Sequence, residues 1–347
     1  MKLAICGITG AVGKELLQCL IERKFPYSEI HFYASSRSAG KKVCDIFSEE
    51  ENVKLDACLH GNNKGIKNTQ IELFDLEKVA QSDIIFLCVS GDFSKKYAKD
   101  LTKKGGVVID NSSAFRYEDH VPLIVPEINS EDIQDKKLIA NPNCTTAILS
   151  VVLYPIYKEF GLKKCIISSY QATSGGGQIA MDELREQSKN YLEGAEVRNE
   201  QFQHPIPFNI IPHIDSFQQN NYTKEEMKVV WETRKIFHEP KMKISCTAVR
   251  IPTFRAHAES VSIETEHSID INRIKEILEE SPGVKLVDDP EKNLYPMPLT
   301  SSNIYDVEVG RIRKNEVFGE YGLDFFICGD QLLKGAALNA VQIAELL

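Results

Sequence analysis

The stretch GITGAVG, residues 7–13, stands between the apolar run KLAICGI and an amphipathic segment over 12–23 with Leu16, Leu17, Leu20 and Ile21 on one side. Strand, glycine turn and helix in that order restrict the fold more than any other feature of the chain. Gly7, Gly10 and Gly13 let the backbone come close to a pyrophosphate at the positive end of a helix. The spacing is G-x-x-G-x-x-G, not the stricter G-x-G-x-x-G, so a glycine-rich turn without a ligand is the plain alternative.

The first 145 residues continue this alternation. EIHFYAS, DIIFLCVS, GVVIDNS and KLIANPN read as further buried strands, with a lysine-rich helix over 94–104 and a polar loop or excursion from Ser48 to Asn68. Continuous apolar runs separated by helices indicate a parallel sheet covered on both faces. The middle differs. Helices are expected at about 145–160, 178–190, 223–237 and 270–281, with an irregular Pro- and Asn-rich passage over 195–222. Between them lie CIISSYQA, KISCTAVRIPTF, ESVSIETE and VEVGRIR, strands with few crossover helices, which predicts a mostly antiparallel sheet in an α+β domain. The last 20 residues, CGDQLLKGAALNAVQIAELL, read as a helix packing back onto the first domain.

A net charge of −9 argues against a polyanion-binding surface, so no nucleic-acid partner is expected. No apolar run approaches the roughly 18 residues that span a bilayer, and the start lacks the apolar core of a signal peptide. Nine cysteines without a C-x-x-C pair indicate neither a disulfide framework nor a metal site, and a reducing cytoplasm is the expected compartment.

Seven residues suggest chemistry. The second strand runs into SSRSAG, placing Arg37 and Ser38 where a site specific for an unphosphorylated ribose offers an acid; this favours NADP. Cys144 follows a strand and opens a helix, where the dipole and unpaired N–H groups favour a thiolate nucleophile. Inert packing is the ordinary reading for the other eight cysteines. His257, in RIPTFRAHAES, is the candidate base, although a lone histidine is usually structural. Arg250 sits in an apolar strand, where a charge needs a partner, and a ligand carboxylate would serve. Arg116 and Lys228 could contact phosphate, with surface solvation as their default.

The motifs GITGAVG, SSRSAGK, DNSSAFR, ANPNCTT, SYQATSGGG, YTKEEMK, VRIPTFRAHAE and KGAALNAVQ together resemble the aspartate-semialdehyde dehydrogenase family over essentially the whole chain. The resemblance implies an α/β fold, with a Rossmann-type NADP-binding domain over 1–143 completed by 328–347. A catalytic and dimerisation domain would cover 144–327. It implies NADPH-dependent reduction of L-4-aspartyl phosphate to aspartate semialdehyde and phosphate through a thioester on Cys144. The product would feed lysine, diaminopimelate, threonine and methionine biosynthesis. His257 would be the acid–base partner and Gln171 would orient the substrate or acyl intermediate. Arg250 would clamp the α-carboxylate, and Arg116, Asn143 and Lys228 would line the phosphate site. Glu225 would meet the amino group, with Glu232 and Lys235 sharing the spacing of Glu225 and Lys228. Thr9, Gly10, Ala11, Val12, Arg37, Ser38, Ser174, Gly175 and Gln331 would contact the cofactor. The triple glycine Gly175–Gly177 departs from the larger middle residue common in the family and would loosen that loop. A homodimer or dimer of dimers is expected. N-acetyl-γ-glutamyl-phosphate reductase is the nearest alternative, separated by Arg250 in VRIP and by YTKEEMK; a non-catalytic dinucleotide sensor would not need Cys144, His257, Gln171 and Arg250 together.

Overall fold

The computed structural model describes residues 1–59 and 61–347 and divides into two compact units. The first comprises residues 1–126, 130–142 and 336–347. Its sheet contains β1 (Lys2–Cys6), β2 (Glu29–Ala34), β3 (Glu72–Leu73), β4 (Ile84–Leu87), β5 (Val107–Asp110) and β6 (Leu138–Ala140). They are parallel throughout, in the order β3-β2-β1-β4-β5-β6. Helix Ala11–Glu22 buries Leu16, Leu17, Leu20 and Ile21, the stripe its sequence marks. The lysine-rich helix starts earlier than its pattern suggests, at Gly91, because the Ser90 hydroxyl accepts the Phe93 N–H.

The Ser48–Asn68 stretch is not a simple loop. Ser48 and Glu51 form a reciprocal capping box that starts a helix over Glu49–Cys58, and a 3₁₀ segment follows at Gly61–Asn68; His60 lies outside the described residues. The helix has no amphipathic pattern, so only its cap signals it.

The second unit comprises residues 127–129 and 143–335. Its sheet contains β7 (Lys164–Gln171), β8 (Lys243–Arg250), β9 (His257–Glu264), β10 (Val284–Leu286), β11 (Val307–Lys314) and β12 (Gly322–Gly329). The order is β10-β11-β12-β9-β7-β8, with three antiparallel junctions and parallel ones at each edge, so the sheet is mixed. Helices Cys144–Phe160, Gln178–Leu192, Lys224–Ile236 and Ile271–Glu280 belong to this unit. The first runs through Pro155 without interruption. The passage over 195–222 carries no helix or named strand. Glu183 holds its backbone at Glu200 and Gln201, and Gln187 at Arg198 and Ile206.

The C-terminal segment departs from expectation. Cys328 and Gly329 finish β12, where Cys328 pairs with Ala258 and Gly329 with His257, and a π-helical turn follows at Leu333–Ala337. Only Leu338–Glu345 is α-helical, and the chain joins the first unit at Ala336, not at 328. Within that unit this helix packs on Ala11–Glu22, and Arg23 meets Glu345 at 2.6 Å.

Candidate active site

In the first unit the glycine turn is sterically determined. Gly7 has φ +90°, and a Cβ on it would lie 2.1 Å from the Cys88 carbonyl oxygen; one on Gly13 would lie 2.4 Å from the Gly7 oxygen. Gly10 is the helix N-cap, and no side chain caps the turn that begins Ala11-Val12-Gly13. Its opening N–H groups therefore fit a pyrophosphate. Thr9 is half-buried at the tip of the turn. Arg37 stands exposed in the turn after β2, with Ser38 half-buried beside it and no acid in SSRSAG. That donor set suits a 2′-phosphate. Arg116 is not a solvated surface cation: it is buried, donating Nε to the Asn141 carbonyl (2.8 Å) and Nη2 to that of Asn111 (3.0 Å).

The thiol and its neighbours lie in the second unit. Asn143 is the N-cap of helix Cys144–Phe160, its side-chain oxygen accepting the Thr146 N–H at 3.2 Å. Cys144 thus occupies the first helical position, where partial positive charge favours a thiolate. Its Sγ lies 3.5 Å from Nε2 of His257. The imidazole, at the start of β9, is fully buried, and its Nδ1 accepts the Ala172 N–H at 3.1 Å. Burial, reinforced by the Arg250 cation and opposed by Glu225, lowers the His257 pKa to about 3. Gly335 presses on the thiol from the π-turn; a Cβ there would lie 2.8 Å from Cys144 Cβ.

Gln171, at the end of β7, donates to Thr145 Oγ1 and, at 3.1 Å, to Glu225, leaving its own oxygen buried without a partner. Glu225 also accepts from Asn143 Nδ2 (2.9 Å) and Lys228 Nζ (2.8 Å). Burial pushes the Glu225 pKa up, but Lys228 and these hydrogen bonds outweigh it and bring it to about 2. Lys228 is largely buried, contrary to the default for a surface lysine. Desolvation lowers its pKa, and the charges of Glu225 and Asp215, the latter at 2.8 Å, more than restore it. Glu232 approaches from the next turns of the helix, accepting the Asn143 N–H at 2.6 Å. Both candidate carboxylates therefore converge on the residue before the thiol, while Glu225 alone bonds Gln171.

Arg250, at the end of β8, donates Nη1 to the Ala172 carbonyl at 2.6 Å and has no carboxylate within ion-pair distance among the described residues. Burial lowers its pKa, with Glu225 and Cys144 opposing. The triple glycine has specific work here. A Cβ on Gly175 would come within 3.0 Å of Arg250 Nη1 and 3.3 Å of the His257 ring, and Gly177 has φ +82°. Gln331 spans the neighbouring backbone, donating to the Ser174 hydroxyl and accepting the Ala256 N–H at 2.8 Å. Ala256 itself has φ +65°, strained for a residue with a Cβ, directly before His257.

Sequence reasoning did not find Thr145, Asp215, Gly335 or the Ala172 N–H; Asp215 lies in the passage over 195–222 read as irregular, whereas a backbone donor leaves no trace in residue type. It also missed Glu259, fully buried two residues beyond His257, with both carboxyl oxygens unpartnered and its pKa raised well above the usual range by burial. Among the described residues no cluster of metal-binding side chains occurs.

Comparison with known proteins agrees with this chemistry. Residues 2–136 match the semialdehyde dehydrogenase NAD binding domain, and residues 153–334 the semialdehyde dehydrogenase dimerisation domain. Aspartate-semialdehyde dehydrogenase of Aquifex aeolicus (strain VF5) is 46% identical, covering 100% of this chain and 97% of its own length. That of Synechocystis sp. is 43% identical over the same shares. Among solved structures, aspartate semialdehyde dehydrogenase II from Vibrio cholerae, complexed with ASA, has a TM-score of 0.89 at 38% identity, covering 100% of this chain and 97% of its own. The Candida albicans enzyme with NADP has a TM-score of 0.75 at 25% identity, covering 100% and 98%.

Proposed function

Because this chain belongs to the aspartate-semialdehyde dehydrogenase family, we propose that it reduces L-4-aspartyl phosphate to aspartate semialdehyde and phosphate through a thioester on Cys144. The observation that carries the reading is the Cys144 sulfur at a helix start, 3.5 Å from a buried imidazole. A thiolate there splits the reduction into acyl transfer and reduction of a thioester, each with a lower barrier than direct attack on the acyl phosphate.

Arg250 is the α-carboxylate clamp: it is buried, uses one donor on Ala172 and keeps the rest of its planar fork for a ligand. Gln171 orients the acyl group through its unpartnered oxygen or its bond to Glu225, and Glu225 receives the substrate ammonium. Lys228, Asn143 and Arg116 supply phosphate contacts. Gly7 to Gly13, Arg37 and Ser38 bind NADP, with Ser174, Gly175 and Gln331 as further contacts. That cofactor supplies the hydride. Asn143 and Glu232 fix the thiol at the helix start.

The outer face of the second sheet, where Ile166 is exposed and the Tyr170 ring lies tilted against that of Phe326 with centroids 6.2 Å apart, is the proposed homodimer surface. Among the described residues no helix is long and apolar enough to cross a membrane. A cytoplasmic enzyme supplying lysine, diaminopimelate, threonine and methionine synthesis fits these features. The test is reduction of NADP by aspartate semialdehyde, measured with and without phosphate. A rate that requires phosphate supports acyl-phosphate formation; a phosphate-independent rate, or none with aspartate semialdehyde, overturns the assignment.

A further inference from the structure

Asparagine side chains in the first unit form a line that no step of the reaction uses. Asn339, fully buried in helix Leu338–Glu345, donates Nδ2 to the Ile124 carbonyl at 2.9 Å and to Asn141 Oδ1 at 2.6 Å. Asn141, buried after β6, donates its own Nδ2 to the Ala336 carbonyl and to Asn111 Oδ1, each at 2.9 Å. Asn111 ends the line, donating Nδ2 to the Leu87 carbonyl at 3.2 Å. Backbone carbonyls only accept, so Ile124, Ala336 and Leu87 each hold the nitrogen end of one amide. The oxygens of Asn141 and Asn111 are thereby turned to the nitrogen of the amide before them. The line has one direction.

The two residues at the end of this line also hold the Arg116 guanidinium. Its Nε donates to the Asn141 carbonyl at 2.8 Å and its Nη2 to that of Asn111 at 3.0 Å. Both residues are tied to the sheet, Asn141 N–H donating to the Asp110 carbonyl at 2.8 Å and Asn111 N–H to that of Leu87 at 3.0 Å. The amide bond between their side chains therefore sets the spacing of the two acceptors that orient a planar cation. Helix propensity does not explain Asn339, because asparagine is a poor helix former and a buried amide is costly unless bonded. We infer that the side chains of Asn339, Asn141 and Asn111 act together as positioning residues, holding Arg116 in the orientation that binds phosphate. This rests on the reading of Arg116 as a phosphate contact and adds what fixes the guanidinium. Hydrogen-bonded amides in a row polarise one another, so loss of any member loosens the rest. Asn339 and Ala336 belong to the returning C-terminal segment, which thus bears on a cation far earlier in the chain.

The test is oxidation of aspartate semialdehyde by the full-length protein with NADP, at varied phosphate. Asn339→Ala should lower kcat/KM for phosphate about 10- to 100-fold, the scale of a misplacement of about 1 Å. The loss should lie in the KM for phosphate, with kcat at saturating phosphate and the KM values for aspartate semialdehyde and NADP near native. Asn111→Ala breaks the same line at a half-buried position and should give the same pattern; it carries the test if Asn339→Ala does not fold. Arg116→Ala is the reference. Residues that act through the guanidinium lose their effect once it is gone, so either asparagine change added to Arg116→Ala should raise the phosphate KM little further. A native phosphate KM in the asparagine variants, a parallel rise in all three KM values, or an effect that adds in full to that of Arg116→Ala overturns the inference. Failure of the reading beneath it is distinguishable: Arg116→Ala would itself keep a native phosphate KM, and the positioning role would fall with it.

Discussion

Glu225 and Lys228 meet at 2.8 Å across one turn of helix Lys224–Ile236, with the carboxylate almost wholly withdrawn from solvent. Removing one member of such a pair leaves a buried charge, so its cost exceeds the net worth of the pair. Lys228→Met should destabilise the fold by about 3–5 kcal/mol, since it takes the cation from both Glu225 and Asp215. Adding Glu225→Gln should recover much of that loss. Urea denaturation of the two singles and the double gives the cycle; independent, additive losses would show that the pair is not coupled. The Glu225 pKa of about 2 lies below its ordinary value of 4.5. Its contribution is therefore fully present above pH 4.5 and is lost as pH falls toward 2.

Arg250 distinguishes a clamp from a structural charge. Arg250→Lys keeps the cation but not the planar fork, so kcat/KM for aspartate semialdehyde should fall about 10–100-fold. The KM for phosphate should change little, and so should thermal stability without substrate, because among the described residues its one acceptor is the Ala172 carbonyl. A much lower melting temperature with normal kinetics on the folded protein would make Arg250 a structural residue.

Arg37 tests cofactor choice. It stands exposed in the turn after β2 without an acidic neighbour in SSRSAG. Arg37→Ala should raise the KM for NADP about tenfold, the scale of one lost charge-assisted hydrogen bond, and that for NAD far less. Equal rises for both nucleotides would mean that the guanidinium does not face the 2′-phosphate.

Glu259 predicts a particular pH profile of stability. Burial raises its pKa in the folded protein well above 4.5, so the folded state holds a proton that the unfolded chain releases. Its effect on stability is fully favourable below pH 4.5 and declines as pH rises toward the folded value. Glu259→Gln removes that titration while keeping the shape. The melting temperature of the variant should gain on the native protein progressively from pH 5 to about pH 8. A constant difference across that range would mean that Glu259 does not titrate with folding.

How far the sequence reveals these features depends on the kind of force involved. The first sheet was legible because its strands are continuous apolar runs and Leu16, Leu17, Leu20 and Ile21 mark the buried face of their helix. Four strands of the second sheet were legible, but β10 and β12 were not, nor were its parallel edges, since β7 and β8 carry no signal of direction. Helix Glu49–Cys58 escaped because a capping box, not a hydrophobic stripe, starts it. In the site, Cys144 and His257 were visible from residue type and setting, and Arg250 from its apolar strand. Lys228 and Arg116 were given the surface default because their partners are remote in sequence or lie on the backbone: Asp215, and the carbonyls of Asn111 and Asn141. The Ala172 N–H has no residue signature at all.

Gly335 packs its bare α-carbon where a methyl group would lie 2.8 Å from Cys144 Cβ, and Gln331 braces the backbone just ahead of His257. The reactive centre is thus completed by residues far along the chain from its nucleophile. Trimming by a protease at about position 330 would leave the thiol-bearing helix and both catalytic strands in sequence, yet without these two supports. Such a fragment would keep Cys144 at its helix start but lose the packing and the brace that set it against His257. Damage to the C-terminal segment would therefore impair the reaction although every residue of the thiol's own helix remained.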